Sequence, residues 1–314
     1  MLSIAHSGLW IFFSILVLGM LALDLLVLGG GKAREMSIRR ALGLSLFWIV
    51  LALLFNAGLW IYVNQTHGRI LADETALNFL TGYLVEKSLS VDNLFIFLMI
   101  FTSFHIPKNL QKRVFTYGIF GAIILRGIMI ALGATLVSEF SWILYLFGAF
   151  LLLTGIKMAF SKNVHHEIKD GLLIRLCKKY MRVTEGLRGE RFFVIENGLR
   201  HVTPLFLVLL LIEFSDLAFA TDSIPAIFAI TQDPFIVFSS NIFAILGLRA
   251  LYFVLAGMLE RFTYLHYGLA LILALIGLKL LIAPFYHVSS VMTLLSVFFI
   301  LLCSVMLSLL FPKK

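Results

Sequence analysis

E-F-S-D-L-A-F-A-T-D-S-I-P-A, residues 213–226, sets Glu213, Asp216 and Asp222 inside an apolar run long enough to cross a bilayer, then interrupts the run with Pro225. A charge at bilayer depth costs from about 3 to more than 10 kcal/mol, so three in one span need a purpose. A second acidic stretch, E-K-S-L-S-V-D-N, residues 86–93, repeats the spacing: Glu86 stands six before Asp92, and Asp216 six before Asp222. Each second acid is followed by a short polar side chain, Asn93 or Ser223. The two stretches read as halves of one intramembrane cation site, with the rest of the chain as its frame.

The composition fits that reading. Apolar residues fill 61% of 314 positions and charged ones only 13%, against roughly 25% charged in a soluble domain. No single water-exposed surface hides that much Leu, Ile and Phe, so the expected fold class is an all-α polytopic membrane protein. Cys177 and Cys303 are too few for a disulfide framework or a thiolate metal site. No basic segment precedes Leu9 and the first apolar run is of spanning length, so no cleaved leader is expected. The net charge of +8 is assigned to cytoplasmic loops, not to nucleic-acid binding.

Nine runs are long enough to span as helices, roughly 9–28, 41–63, 76–102, 114–137, 141–160, 202–228, 235–258, 264–283 and 291–311. The basic residues test the count. With the N-terminus outside, 19 of the 25 Lys and Arg fall in inward loops, one (Arg69) in an outward loop and five within spans. That asymmetry is what the positive-inside rule demands of nine crossings, N-out and C-in. It also puts the 161–201 loop in the cytoplasm.

Residues 76–160 and 202–283 read as a repeat of three helices each. Ile119-Phe120 to Leu125-Arg126 is answered by Ile242-Phe243 to Leu248-Arg249, and Gly155-Ile156-Lys157 by Gly277-Leu278-Lys279. Three crossings are an odd number, so the two units enter from opposite sides, as in transporters whose substrate site lies near the midplane. Helices 9–28, 41–63 and 291–311 are peripheral to the repeat. Within the 161–201 loop, residues 171–183 place Leu172, Leu173, Leu176 and Tyr180 on one helical face and Arg175, Lys178, Lys179 and Arg182 on another. Such a helix suits the anionic inner leaflet. F-F-V-I-E-N-G-L-R-H-V, residues 192–202, reads as a hairpin turning at Asn197-Gly198. His165-His166-Glu167 has the look of a ligand cluster but reads as part of a solvated loop.

The deep charges are Glu86, Asp92, Glu213, Asp216 and Asp222 against Lys87, Arg126 and Arg249; Asp24, Lys157 and Lys279 lie near helix ends. Five negative groups against three positive leave an excess of two, which a divalent cation or two protons would balance. Those two states suggest exchange of one metal ion for protons. Glu213 and Asp216, at i and i+3, share a helix face. The members of each six-residue pair are about 240° apart on a straight helix, and Pro225 leaves the carbonyl of Thr221 without its usual donor. A local break beside Asp222 is therefore expected. The oxygen set Glu86, Asp92, Asn93, Glu213, Asp216, Asp222 and Ser223 contains no Cys or His, which favours Mg²⁺, Ca²⁺ or Mn²⁺ over Zn²⁺ or Cu⁺. Glu86 and Asp216 should approach one ion, with Asp92 toward the cytoplasm and Asp222 toward the outside. The opposing reading makes Arg126, Arg249 and Lys87 structural counter-charges that use the acids to tie helices together. An enzyme is not expected, because no nucleophile–base pair or HExxH-type motif is present, and no resident cofactor is called for.

At these residues the chain resembles the TerC family of bacterial membrane proteins, the Alx-type members in particular. The resemblance rests on residues 86–93, T-P-L at 203–205, residues 213–228 and L-R at 248–249, and covers about Leu21 to Tyr286. It implies a place in the LysE-like transporter superfamily, the bacterial inner membrane and export of Mn²⁺ from the cytoplasm. It also implies that Glu86, Asp92, Glu213, Asp216 and Asp222 form the metal path. Thr221 departs from the aliphatic residue usual before the last Asp. The resemblance leaves room for a membrane-protein assembly factor or an exporter of another solute.

Overall fold

The computed structural model describes residues 4–29, 38–140, 142–160, 172–196, 198–255, 264–286 and 288–310. The side chains of Asp92, Leu172, Leu173 and Lys178 lie outside the described residues, as do Asn197 and His165-His166-Glu167. Among the described residues, helix occupies most of each expected apolar run. In chain order the elements are α1 (Ser7–Gly29), α2 (Ile38–His67), α3 (Arg69–Ser103), α4 (Lys108–Glu139), α5 (Ile143–Phe160) and α6 (Leu172–Tyr180). A hairpin of β1 (Phe193–Glu196) and β2 (Leu199–Val202) follows, then α7 (Pro204–Phe228), α8 (Pro234–Ile245), α9 (Leu248–Leu255), α10 (Leu265–Ile282) and α11 (Ser290–Leu310). Lipid offers the backbone no hydrogen bonds, so apolar segments of this length close their own as helices.

Among the described residues, seven segments are long and apolar enough to cross a membrane: α1, α2, α4, α5, α7, α8 with α9, and α11. Outside that set, α3 is the longest helix at 35 residues and carries Glu86, Lys87 and Asp92, and α10 is apolar over Tyr267–Ile282. The protein is thus an all-α polytopic membrane protein with one small hairpin.

An aromatic cluster joins α1, α2, α3 and α8. Phe55 and Phe243 have ring centroids 4.7 Å apart, Phe13 and Phe235 5.4 Å, and Phe55 and Phe79 5.5 Å, within the range of favourable ring pairs. Helix α4 lies along α7 with both chains running the same way, since Gly118 faces Leu209 and Ile212 while Gly133 faces Phe228. Helices α5 and α10 run antiparallel, and glycine lets their backbones approach. A Cβ on Gly155 would lie 2.6 Å from the carbonyl oxygen of Ala270, and one on Gly277 would lie 2.7 Å from that of Gly148.

Two expectations about local structure need correcting. Helix α7 runs unbroken through Pro225 to Phe228. The proline sits in the last turn, where the cost is one hydrogen bond near an end that lacks partners anyway. The break falls in the 235–258 run, at Leu246-Gly247 between α8 and α9. Gly247 takes φ +85°, a left-handed conformation, and a Cβ there would strike the Trp48 side chain at 2.8 Å; only glycine suits both demands.

The loop after α5 folds as read at its second half. Strands β1 and β2 pair antiparallel, Phe193 with Val202 and Glu196 with Leu199, and Gly198 supplies φ +76° at the turn. The hairpin is held to α4 by Arg113, which donates to Glu190 at 2.8 Å and lies over the rings of Tyr117 and Phe192. In α6 the buried stripe is Ile174 and Cys177, while Leu176 and Tyr180 are exposed. The face expected to lie on the leaflet is thus left uncovered by protein at Leu176 and Tyr180.

Candidate functional site

Glu86, Arg126 and Asp216 each stand near the middle of their helices, α3, α4 and α7. The fold brings them together. The Arg126 guanidinium donates from Nε to Asp216 Oδ2 at 3.0 Å and from Nη2 to Asp216 Oδ1 at 2.8 Å, the two-pronged geometry for which Arg is suited. Its Nη1 bonds Glu86 Oε1 and also donates to Asn241 Oδ1 of α8 at 3.0 Å. Ser90, one turn along α3, donates its hydroxyl to the same Glu86 oxygen at 3.3 Å. Glu86, Arg126 and Asn241 are 0% exposed and Asp216 5%. Two carboxylates thus share one guanidinium, which leaves the cluster one negative charge in excess when both acids are ionised.

Around this knot several polar atoms are buried with no partner among the described residues: Glu86 Oε2, Asn241 Nδ2, Ser223 Oγ and Glu213 Oε2. Buried groups of this kind are rare, because each costs its desolvation unreturned. Glu213 lies one turn before Asp216 on α7. Its carboxylate presses on α4 at Gly121, where any Cβ would overlap it, and Gly118 borders the same notch. Asp222 is half-buried two turns on, and Asn93 is buried on α3. Among the described residues, no three His, Cys, Asp or Glu side chains gather as a metal cage.

The expected counter-charges divide three ways. Arg126 serves both motifs. Lys87 turns to the helix break, where its ammonium donates to the carbonyl oxygens of Ala244 at 3.1 Å and Leu246 at 3.4 Å. Those carbonyls close the C-terminal end of α8, where partners are missing and a cation is favoured. Arg249 is a correction: it pairs with Asp24 of α1, not with a motif acid. Nη2 donates to Asp24 Oδ2 at 2.6 Å and to the Asp24 carbonyl oxygen at 2.8 Å, and Nη1 donates to Thr116 Oγ at 2.8 Å.

Sequence reasoning missed Asn241 and the Gly118–Gly121 notch, although a signal existed. Gly118 and Asn241 are the residues just before the two Ile-Phe landmarks, 119–120 and 242–243; Gly118 faces Glu213 and Asn241 accepts from Arg126.

The family model described as "Integral membrane protein TerC family" matches residues 71–314. The chain is 55% identical over 293 residues to "Putative membrane-bound redox modulator Alx" of Shigella flexneri, covering 93% of this chain and 92% of that protein. The Escherichia coli K12 protein of the same name is also 55% identical, over 93% and 91%. "Uncharacterized membrane protein STKORF319" of Myxococcus xanthus is 47% identical, over 90% of this chain and 86% of its own. No solved structure matches the chain.

Proposed function

Because the chain belongs to the TerC family of integral membrane proteins, we propose that it is a bacterial inner-membrane carrier that exports Mn²⁺ from the cytoplasm in exchange for protons. The observation that carries this reading is the meeting of Glu86 and Asp216, one acid from each motif, on a single buried cation at mid-helix. A site that gathers one acid from each half of the chain can change its access as the halves move. Glu213, Asp222, Asp92, Asn93 and Ser223 extend the oxygen path on either side. Hard oxygen ligands suit Mn²⁺, Mg²⁺ or Ca²⁺ alike; the choice of Mn²⁺ comes from the family resemblance, as does the LysE-like superfamily.

In this proposal α3 and α10 also cross the membrane, giving nine crossings, N-out and C-in, with 76–160 and 202–283 as inverted units. The α5–α10 crossing supports it. One offset of 122 relates Gly155 to Gly277, Gly148 to Ala270 and Leu152 to Ala274, and the contacts follow suit: Gly155 meets Ala270 and Ala274, while Gly277 meets Gly148 and Leu152. Such reciprocity is expected where a two-fold axis passes between corresponding helices.

A second reading has an observation in its favour: Arg126 ties α3, α4, α7 and α8 together, as a purely structural knot in an assembly factor would. Uptake of Mn²⁺ into inverted membrane vesicles, compared with Mg²⁺, Ca²⁺, Zn²⁺ and lysine, separates the two. Mn²⁺ uptake with proton release, lost in Asp92→Asn and Asp222→Asn at normal protein levels, is the expected result. No uptake of any solute by the intact protein would leave the structural reading. The redox role named for the relatives would rest here on Cys177 and Cys303, both free thiols and neither part of the acidic site.

A further inference from the structure

The guanidinium of Arg126 lies where a transported cation would have to lie. It bonds both Glu86 and Asp216, the acids expected to meet one ion, and it is wholly buried among them. Arginine keeps its charge at any physiological pH, so one of the two negative charges is offset without metal or protons. Yet the knot is incomplete. Glu86 keeps one buried oxygen, and Asn241 one buried nitrogen, without a partner among the described residues. Each carries a desolvation cost, and each stands beside the acids as a polar atom free to meet a further ligand.

Resting on the transport reading above, we infer that Arg126 is a tethered counter-cation: it fills the cation site on the empty return stroke and must leave the acids before Mn²⁺ enters. Two consequences follow. The empty carrier can cross between its two facings because Glu86 and Asp216 both keep a cationic partner in the low-dielectric centre, where bare carboxylates would block the motion. Metal affinity is also held down, because Mn²⁺ binds only the fraction of molecules in which the guanidinium has swung away. Weak binding of this kind favours release on the far side. Asn241 accepts from Nη1 alongside Glu86, so it can keep part of the guanidinium's hydrogen bonding as the carboxylates change partner.

The test uses the full-length protein, purified and reconstituted into liposomes, with Mn²⁺ as the probe. Wild type, Arg126→Gln and Arg126→Lys are compared in three measurements: Mn²⁺ affinity, net Mn²⁺ efflux, and exchange of labelled for unlabelled Mn²⁺. In Arg126→Gln the affinity should tighten by about 10-fold or more, since the competitor is gone. Net efflux should fall by a similar factor while metal-for-metal exchange persists, because only the empty return is blocked. Arg126→Lys retains a charge without the planar fork; it should show intermediate affinity and keep net efflux, which guards against loss of folding in the Gln variant. Equal loss of efflux and exchange in Arg126→Gln would overturn the inference. So would wild-type affinity in Arg126→Lys. Absence of Mn²⁺ transport by the wild type would instead overturn the transport reading itself.

Discussion

Arg126 and Arg249 close the same Leu-Arg landmark in the two halves of the chain, and both are fully buried. Their surroundings differ. Arg249 meets one carboxylate, Asp24, and fills its terminal nitrogens with that carboxylate, the Asp24 carbonyl and the Thr116 hydroxyl. Arg126 is divided between two carboxylates from different helices; among the described residues Glu86 Oε2 and Asn241 Nδ2 beside it have no partner, as has Nε of Arg249. One charge balanced by one charge is a fastener. One charge shared by two, with spare ligand atoms nearby, is a place where another cation can compete. In the proposed repeat the same residue in corresponding positions thus meets different surroundings, set by how many acids the neighbouring helices supply.

The largest effect should come from breaking the fastener. Asp24→Asn leaves Arg249 buried beside a neutral amide, and removing one partner of a buried pair costs about 3–5 kcal/mol. Thermal unfolding in detergent should register the loss, while the fraction that stays folded binds Mn²⁺ with unchanged affinity. Asp216→Asn should do the reverse. Arg126 retains Glu86, so the protein accumulates, but Mn²⁺ efflux should fall more than about 10-fold, a change of about 1.4 kcal/mol or more. Equal behaviour of the two variants in both measurements would erase the distinction between the arginines.

Gly247→Ala probes the hinge between the two sites. It forces a left-handed residue and a clash with Trp48, at a cost of about 1–3 kcal/mol, and it disturbs the carbonyls that hold Lys87 without touching Arg126. Stability should drop and Mn²⁺ affinity should not. The smallest effect belongs to Glu196→Gln, on the exposed hairpin. Arg188 donates to Glu196 at 2.6 Å, and that bond, with the guanidinium's charge, holds the carboxyl below its ordinary value. A lowered acid stabilises the fold above its unfolded value and loses that contribution as pH falls through the folded one. The hairpin should therefore loosen slightly in acid in the wild type and show no such step in the Gln variant, as read by amide exchange across β1 and β2.

Much of this was legible in the chain. Length and apolarity locate most of the long helices within a few residues, but α3 starts at Arg69, ahead of the expected 76, and α4 at Lys108, ahead of 114, because their polar first turns carry no apolar signal. Asn-Gly between two short apolar runs fixed the hairpin. The meeting of Glu86 with Asp216 was foreseen, but not that arginine would stand between them, since spacing places residues on faces and is silent about which face meets which. Arg249 was misassigned for the same reason: its partner lies 225 residues away on a helix outside the repeat. The break was sought at Pro225 because proline is the louder signal. It occurs at Gly247, where the conformation needs a glycine and Lys87 stands ready to receive the freed carbonyls.

The distance in sequence between Asp24 and Arg249 has a consequence for how the protein is made. Helix α1 leaves the ribosome first, carrying a carboxylate whose partner has not been synthesised. At about 5–20 residues per second, the 225 residues between them take roughly 11–45 s to appear. Through that interval α1 has no buried guanidinium to receive it, and lodging its acid end in lipid is unfavourable. The helix must wait at the edge of the insertion machinery, or with its acid end still in the headgroups, until α9 arrives. Pairing of α1 with α9 is therefore a late event, and the 1:1 pair that fastens the finished protein is one that forms only after most of the chain has been made.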